Sequence, residues 1–532
     1  MRVVTASSIL LLAASLYGCG GGGGGGGTGG LGNALGSSST GTGDYKAGVF
    51  KPWSTFIDTC AAPTGNEKKG TTTDEKNFLR SLTNDLYLWY SEVPDLNPGT
   101  NTSVLDYFDK LKTPSLTATG QAKDKFHFTY PTDAYEALVS GQPVGYGMEV
   151  AITLTNGNQL PRTVVVAYTE PSSPATGVSL QRGEKILEVD GVSATTGNTD
   201  TELAILNGGL FPEDGSASHT FKIQGLDQST RTVTMTPTVV TSHPVQNVEV
   251  LNEGGVPVGY FTFNDHIEPA EDALIAAINQ LKQANVQDLV LDIRYNGGGY
   301  LDIASELAYM IAGPAQTGGR TFELIHFNDK HPSTDPVTGD AITPTPFHST
   351  SQGFGGTNGA ALPTLNLPVP RVYVLSGPDT CSASEAIING LRGVGVDVYL
   401  IGATTCGKPY GFYAIPNCGT TYFTIQFKGT NDAGFSGYED GFIPANEPGS
   451  GGARIDGCSV EDDFTHQLGD SSERLLKTAL DLRAANNQLS ACPAVSGFGG
   501  GNQLNKPSAA RQNQPLLRKN PLLTNRILRQ HS

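Results

Sequence analysis

Residues 371–411 decide the fold, and they read RVYVLSGPDTCSASEAIINGLRGVGVDVYLIGATTCGKPYG. The apolar, β-branched run at 372–375 predicts a strand, and the apolar spacing at 383–391 predicts a helix. Ser382 is then expected on the turn between them. A serine on such a turn holds its hydroxyl clear of the sheet, and the unpaired N–H groups of the helix stabilise negative charge that forms beside it.

The same residues also have a purely structural interpretation. A Ser-Ala-Ser-Glu run is a good helix start, in which Ser382 or Ser384 caps the helix and Glu385 favours its first turn. A second apolar run at 396–401 leads to Lys408, which places an amine at the end of a neighbouring strand. A serine and a lysine can therefore meet, and the rest of the chain has to decide between the two interpretations.

The region 242–490 is interpreted as an α/β domain with a mostly parallel sheet. Strand-like runs alternate with helix-like segments at 270–283 and 303–311, and such βαβ succession places the working site at the carboxyl ends of the strands. The run DIRYNGGG, which ends at Gly299, then reaches the same edge as Ser382. Its three glycines allow close approach of the backbone to a ligand.

The fold class expected for the whole chain is a multidomain α/β protein. Residues 1–19 resemble a signal peptide with a bacterial lipobox, which would make Cys19 a lipidated first residue, although ordinary cleavage nearby stays open. Residues 20–43 form a Gly-rich linker, and helical periodicity over 74–90 and 103–111 predicts a helical domain at 44–140.

Residues 141–241 carry short β-like runs separated by turn residues, which predicts a mostly β module. The module resembles a PDZ domain, because Gly145, Tyr146, Gly147 and Met148 look like a carboxylate-binding loop. This resemblance implies capture of an extended peptide by addition to a sheet edge. A generic β domain that braces the fold is the alternative.

Together, DIRYNGGG, TCSASE, TTCGKPYG and the PDZ-like module resemble the C-terminal processing peptidases, a family related to the tricorn core protease. The resemblance implies a serine endopeptidase without cofactors that uses a Ser/Lys dyad, with Ser382 as nucleophile and Lys408 as base. Ser384 is the weaker candidate nucleophile. For the oxyanion we nominate the backbone N–H groups of Ala383 and Gly298.

Two residues, Lys408 and His127, are candidates for the base. The Ser382 to Lys408 interval is one residue longer than in well-known relatives, and an aspartate that some of them carry is replaced by the turn at 393–395. His127 lies where the tricorn-like branch carries its base, yet a structural role among aromatic residues is the more common one. Lys408 has to be neutral to accept a proton, and burial is what lowers the pKa of a lysine.

Composition narrows the possible partners. The net charge of −17 argues against nucleic acid, and the spacing of cysteines and histidines suggests no metal. Without Cys19, six cysteines remain in an exported and oxidising setting, and Cys406–Cys418 and Cys458–Cys492 are the natural pairs by proximity. Residues 491–532 are expected to form a basic disordered tail.

These observations predict a periplasmic enzyme that acts on proteins or peptides and is anchored to the outer membrane by its lipid. The non-enzyme alternative is a scaffold lipoprotein that binds peptides and has lost activity. Retention of Ser382 and Lys408 within glycine-rich surroundings favours the enzyme.

Overall fold

The structure is a computed structural model that describes residues 45–117, 120–155, 159–449, 451–495 and 526–529. These residues belong to one compact unit, 43–532. The predicted signal peptide with Cys19 and the Gly-rich linker lie outside the described residues. None of the helices in the described ranges is long and apolar enough to cross a bilayer.

The longest helix of the N-terminal region is capped at its start, as the sequence predicts. The Asp74 N–H donates to Thr71 Oγ1, and the Thr71 N–H donates to the Asp74 carboxylate, so two N–H groups at the helix start are satisfied. Leu79 and Leu82 of this helix are fully buried. The elements of the region are β1 (Thr59–Cys60), β2 (Lys68–Lys69), α1 (Thr72–Leu86), α2 (Val104–Asp109), β3 (Phe128–Pro131) and α3 (Thr132–Val139).

The second region is mostly β, as its alternating runs predict. Its elements are β4 (Val144–Gly145), β5 (Met148–Thr155), β6 (Gln159–Thr169), α4 (Pro174–Gly177), β7 (Lys185–Val189), β8 (Val192–Ser193), α5 (Asp200–Leu210), β9 (His219–Gln224), β10 (Thr230–Met235) and β11 (Thr238–Val239). The main sheet has the order β10-β9-β7-β6-β5, with β8 beside β7, so β5 is at its edge. A separate core under this sheet includes Phe221 and Ile223.

The remaining chain forms the α/β region. Its strands are β12 (Val245–Glu253), β13 (Val256–Phe263), β14 (Asp288–Asp292), β15 (Gly299–Tyr300), β16 (Thr321–His326), β17 (Thr345–Pro346), β18 (Thr350–Gln352), β19 (Asn358–Ala361), β20 (Arg371–Ser376), β21 (Asp397–Gly402), β22 (Tyr410–Gly411), β23 (Ile415–Asn417), β24 (Thr420–Phe423), β25 (Phe427–Thr430), β26 (Phe442–Pro444), β27 (Ala453–Ile455) and β28 (Gly457–Ser459). Its helices are α6 (Ala270–Gln283), α7 (Leu301–Ala312), α8 (Pro314–Thr317), α9 (Ala383–Gly393) and α10 (Arg474–Ala484).

The central sheet has the order β12-β13-β14-β20-β21-β28. Only β12 pairs antiparallel within it, while β13, β14, β20, β21 and β28 run parallel. The mostly parallel sheet predicted from the sequence is therefore confirmed, and β14 and β20 are neighbours. Because parallel strands end at the same edge, the loops after β14 and β20 meet there.

The N-terminal region is not purely helical, which corrects the expectation for residues 44–140. Strand β3 pairs antiparallel with β24, so that Phe128 lies opposite Phe423, and their rings stack with centroids 4.5 Å apart. This pairing joins positions almost three hundred residues apart. Short-range periodicity carries no signal for such a strand.

Three disulfides join Cys60–Cys418, Cys381–Cys406 and Cys458–Cys492. The predicted Cys458–Cys492 pair is confirmed, whereas the predicted Cys406–Cys418 pair is wrong. Cys418 lies on the turn between β23 and β24, which carries it to the N-terminal region. There the Asp58 N–H donates to Asn417 Oδ1 beside it.

The C-terminal tail also differs from expectation. Residues Arg526–Ile527 form a strand, β29, that pairs in parallel with β15, and only 3% of Ile527 is exposed. Cys492 is held by its disulfide. The expectation of a disordered tail is therefore wrong for these residues, and most of the remaining tail lies outside the described part of the chain.

Candidate active site

Ser382 lies directly before α9, as the sequence predicts. Its backbone has φ 59° and ψ −111°, a conformation that is unfavourable for any residue except glycine and is held here by the surrounding turn. The residue is fully buried, and its Oγ has no hydrogen-bond partner. A buried hydroxyl without a partner on a strained turn is typical of a functional position.

Ser384, the other candidate nucleophile, is used structurally. Its Oγ donates to the carbonyl oxygen of Asn296 at 2.9 Å, and the Cys381 N–H donates to the same oxygen at 3.1 Å. These two bonds attach the start of α9 to the loop that follows β14. Of the two serines, Ser382 is thus the one whose hydroxyl is unengaged.

Lys408 is fully buried on the loop between β21 and β22. Its Nζ lies 4.3 Å from the ring centroid of Phe412 and 4.9 Å from that of Phe126. The amine is therefore enclosed by aromatic rings from two different parts of the chain. The sequence predicts the lysine, but Phe126 lies too far away in sequence for its part in the enclosure to be recognised.

Glu385 connects the two predicted catalytic residues. Its Oε2 accepts hydrogen bonds from the backbone N–H groups of Ser382 at 3.0 Å and Lys408 at 2.8 Å. Its Oε1 accepts from the Gly407 N–H at 2.9 Å and from Thr405 Oγ1 at 2.5 Å. Burial raises the pKa of Glu385, and these hydrogen bonds act against that shift. One carboxyl group thus fixes both loops.

A disulfide makes the same connection covalently. Cys381, which precedes Ser382, is bonded to Cys406, which lies two residues before Lys408, and their Cα atoms are 5.1 Å apart. The Cys406 N–H also donates to the Thr380 carbonyl oxygen at 3.0 Å. The serine turn and the lysine loop consequently form one cross-linked unit.

The two nominated oxyanion donors, the backbone N–H groups of Ala383 and Gly298, differ in their hydrogen bonding. Ala383 is the first residue of α9, where N–H groups have no intrahelical partner. The Gly298 N–H instead donates to Asn296 Oδ1 at 2.9 Å, and Gly298 has φ 106°. Gly298 is therefore at the expected loop, but its amide is directed toward Asn296 in this conformation.

His266 supports this loop from beneath and was not recognised in the sequence. Its ring Nδ1 lies 2.9 Å from Asn296 Oδ1, and its backbone N–H donates to the Gly298 carbonyl oxygen at 3.1 Å. Burial lowers the pKa of His266 to about 3, so the ring is neutral and Nδ1–H is the donor. A Cβ on Gly299 would lie 2.4 Å from the His266 carbonyl oxygen, so this position requires glycine.

His127, the rival base, is embedded among aromatic rings. Its ring stacks on Phe108 with centroids 3.9 Å apart, and its Nε2 lies 2.9 Å from the Phe108 carbonyl oxygen. Its Nδ1 is 3.9 Å from Asp124 and has no hydrogen-bond partner. Burial lowers the pKa of His127. Within the described residues, no hydrogen bond joins this histidine to Ser382.

The predicted peptide-binding loop lies at the start of the edge strand β5. Tyr146 is buried and packs edge-on against Phe221, with centroids 5.3 Å apart. Gly147 has φ 67°, and its carbonyl oxygen accepts from the Glu170 N–H at 2.7 Å. Gly145 ends β4 and Met148 begins β5.

A cavity of about 730 Å³ lies elsewhere in this module, between α5 and the segment that leads into β9. Leu203, Asn207, Phe211 and His219 are among the residues that line it, and the loop 145–148 is not. The peptide-binding loop and this cavity are therefore separate features.

An arginine network attaches the β module to the α/β region. Arg182 donates to the Tyr295 hydroxyl at 2.6 Å and to Asp462 Oδ1 at 2.7 Å, and Arg294 donates to the same Asp462 oxygen at 2.8 Å. Tyr295 and Arg294 belong to the DIRYNGGG run, so the module contacts the glycine loop through buried charges. Nothing in the local sequence indicates this pairing, since Arg182 and Asp462 are 280 residues apart.

The site has a buried serine on a strand-to-helix turn that a disulfide joins to the loop of a buried lysine, an arrangement like that of a serine peptidase. Family comparisons make the assignment more specific. Residues 257–413 match Peptidase family S41, and residues 74–142 match the Peptidase S41 N-terminal domain. The chain therefore contains peptidase S41 family domains.

Individual relatives agree with this assignment. The chain is 28% identical over 169 residues to a carboxyl-terminal-processing protease of Picosynechococcus sp. and 28% identical over 184 residues to a chloroplastic C-terminal processing peptidase of Tetradesmus obliquus. Each match covers 32% of this chain and 38% of the relative, so the chain matches well under half of their length.

A solved structure extends the likeness to the fold. A Bacteroides fragilis protein described as an S41 protease superposes with a TM-score of 0.55 at 22% identity, over 77% of this chain and 98% of that one. At this identity the likeness concerns the fold alone.

Proposed function

We propose that the chain is an exported serine endopeptidase of the C-terminal processing type that cleaves peptide bonds with a Ser382/Lys408 dyad. The observation that carries the proposal is the unpartnered, fully buried Ser382 Oγ on a strained turn that Glu385 and a disulfide connect to the Lys408 loop. The S41 domains and the two processing-protease relatives support the same reaction class.

In this mechanism, neutral Lys408 Nζ takes the proton from Ser382 Oγ while the oxygen attacks the carbonyl carbon of the scissile bond. The carbonyl oxygen becomes an oxyanion beside the N–H groups of Ala383 and Gly298. The Lys408 ammonium then protonates the leaving amine, and an acyl-enzyme forms. A water molecule, deprotonated by Lys408, hydrolyses that ester and restores Ser382.

The Gly298 amide has to turn from Asn296 Oδ1 toward the oxyanion for this step. Glycine at 298 permits such a change, because positive φ is accessible to it without a steric penalty. The Ala383 amide needs no such change, since it lies at the N-terminus of α9. Substrate binding would thus complete the oxyanion site.

His127 is the less favoured base. Its ring stacks on Phe108, and its Nδ1 lies 3.9 Å from Asp124 rather than against Ser382. Lys408, by contrast, is on the loop that is bonded to the serine turn. The role of His127 is therefore assigned to packing in the N-terminal region.

Substrate capture is assigned to the PDZ-like module. The edge strand β5 can accept an extended peptide as a further strand, and the loop 145–148 at its start would receive the terminal carboxylate. The three disulfides favour an oxidising compartment such as the periplasm. Lipidation at Cys19 and attachment to the outer membrane complete the proposal.

The test compares wild type with Ser382→Ala, Lys408→Ala and His127→Ala on periplasmic extract, with new peptide termini identified by mass spectrometry. We expect new termini in wild type and in His127→Ala, and none in the other two variants. Covalent labelling of Ser382 by a serine-reactive probe gives a second readout. A folded wild type that binds peptides but neither cleaves nor labels would support the scaffold alternative, and loss only in His127→Ala would establish the histidine mechanism.

A further inference from the structure

The C-terminal strand β29 lies between two segments that flank the site. On one side Arg526 and Ile527 pair in parallel with Gly299 and Tyr300, directly after the nominated oxyanion residue Gly298. On the other side Ile527 bridges to Phe412, whose ring lies 4.3 Å from Lys408 Nζ. The tail is thus inserted as a strand between β15, which follows the oxyanion loop, and Phe412, which follows β22.

The tail residues occupy specific positions there. The Leu528 N–H donates to the Phe412 carbonyl oxygen at 3.1 Å, which fixes the strand register. Ile527 is buried in the main hydrophobic core of the α/β region. Apolar burial and backbone pairing are the two interactions by which a sheet edge binds an extended peptide.

Arg529 occupies a cation site next to this strand. Its guanidinium carbon lies 4.4 Å from the ring centroid of Phe354, and its Nη1 donates to the Gln352 carbonyl oxygen at 3.1 Å. The Phe354 ring in turn lies 4.8 Å from that of Tyr300, between centroids. An arginine over an aromatic face with a carbonyl acceptor is a favourable cation–π arrangement.

Hydrogen bonds to two carboxyl groups hold the loop that forms this cation site. Glu271 accepts hydrogen bonds from the N–H groups of Gln352, Gly353 and Gly355 at 2.5 to 3.0 Å, and Glu306 accepts from Gln352 at 2.9 Å. Residues 493–532 contain six Lys or Arg and no acid, which leaves −23 on the rest of the chain. Charge therefore also attracts the tail to the body of the protein.

We propose that residues 526–529 are an intramolecular ligand of the substrate cleft, which the chain's own tail occupies and thereby blocks. The cleft accordingly selects extended peptides with an aliphatic residue two positions before an arginine, the pattern of Ile527 and Arg529. The blocking of catalysis rests on the proposed function. The binding of residues 526–529 beside β15 does not depend on it.

The binding test uses the full chain with Ser382→Ala and a fluorescent peptide, TNRILRQHS, that corresponds to residues 524–532. One protein keeps its tail, and the other carries Ile527→Asp with Arg529→Glu to displace it. We expect at least about 10-fold tighter peptide binding when the tail is displaced, because a tethered competitor acts at a millimolar effective concentration. The matched control, Leu517→Asp with Arg518→Glu, makes the same change in charge elsewhere in the tail and should behave as the unchanged protein.

A second variant keeps the inference falsifiable. Phe354→Ala in the tail-displaced protein should weaken peptide binding by about 10-fold if Arg529 binds over that ring. Equal peptide affinity with and without the native tail would overturn the proposal, as would binding that ignores Phe354→Ala. Tail occupancy that disappears on dilution of the unchanged protein would overturn it in favour of a tail supplied by a second copy.

Activity provides a separate readout with Ser382 restored. Displacement of the tail should raise kcat/KM on an unrelated peptide by about 10-fold, by the same tethered-competitor argument. If no variant cleaves any peptide while TNRILRQHS still binds as expected, the proposed function fails and the tail site stands. If all variants cleave equally, the tail proposal fails and the enzyme stands.

Discussion

Glu385 and Lys408 are joined by a hydrogen bond of 2.8 Å from the lysine's backbone N–H to the glutamate Oε2. The same oxygen accepts the Ser382 N–H at 3.0 Å. The relative position of the proposed nucleophile and base thus depends on one buried carboxyl group that does not itself react. Glu385 is therefore a positioning residue.

Glu385→Gln should reduce kcat by on the order of 10²-fold with little change in KM, because the amide offers one acceptor oxygen where the carboxyl group offers two, and misplacement of catalytic groups has effects of this size. Steady-state kinetics and the rate of Ser382 labelling measure the effect. Glu447→Gln is the control, since Glu447 accepts from the Thr404 hydroxyl at 2.9 Å on the same loop without contacting either proposed catalytic residue. Equal losses in both variants would contradict the positioning role.

The Cys381–Cys406 disulfide should be required for activity. Replacing both cysteines with serine should lower the free energy of unfolding by about 3 kcal/mol and also reduce activity, because the crosslink joins the turn and the loop that carry the proposed nucleophile and base. The Cys458–Cys492 disulfide is a matched control, as its sequence separation is 34 against 25. Its removal should destabilise the protein similarly and leave kcat unchanged. If kcat falls to the same extent in both double variants, the disulfide beside Ser382 has no special role.

His266 should make the protein sensitive to acid. Its pKa is lowered by burial to about 3 in the folded state, against 6.5 as the ordinary value, so the unfolded chain binds this proton first as the pH falls. The free energy of unfolding is therefore unaffected by this group above pH 6.5, and it falls progressively as the pH falls toward 3, because only the unfolded chain takes up the proton in that range. Between pH 7 and pH 4 the loss should be on the order of 3 kcal/mol.

Urea unfolding of wild type and His266→Gln at pH 7 and pH 4 measures this contribution. The variant should lose about 3 kcal/mol less between the two pH values, whatever its stability at pH 7. His326→Gln, at an exposed histidine, should follow the wild type. An unaltered pH dependence in His266→Gln would show that the ring is not the group that titrates.

Arg182 should hold the β module against the glycine loop. Arg182→Gln removes the guanidinium by which the β module binds Asp462 and the Tyr295 hydroxyl, while Arg294 stays on Asp462. The loss of these charge-assisted hydrogen bonds should lower the free energy of module docking by about 3 kcal/mol. Hydrogen exchange over residues 141–241 measures the loosening, and kcat/KM reports its effect on the site. Arg231→Gln removes a half-exposed pair with Glu184 in the same module and should change docking by less than about 1 kcal/mol. Indistinguishable exchange in the two variants would show that Arg182 is not the attachment.

The sequence predicts most of the catalytic core because its signals are local. The parallel strands and the helices over residues 270–283 and 383–393 follow from periodicity, and Ser382 lies on the expected turn. Glu385 likewise lies in the first turn of the helix, as the sequence predicts. Such features depend on residues within one or two turns of each other.

The features that sequence did not predict are pairings between distant segments. The contact of β3 with β24 and the attachment of β29 beside β15 join strands that are far apart in the chain. Cys60 likewise pairs with Cys418, which no spacing rule distinguishes from Cys406. Even the aromatic enclosure of Lys408 depends on Phe126, so the environment of the proposed base is set by the whole fold.

The Cys60–Cys418 disulfide makes completion of the protein a late event in its synthesis. Cys60 is synthesised 358 residues before its partner, so its thiol stays without that partner while most of the chain is still being made. Strand β3 likewise cannot form its pairing until β24 has been synthesised. A chain that stalls before residue 418 would display both a free thiol and an unpaired strand edge, which are features that mark an unfinished protein for thiol exchange or degradation.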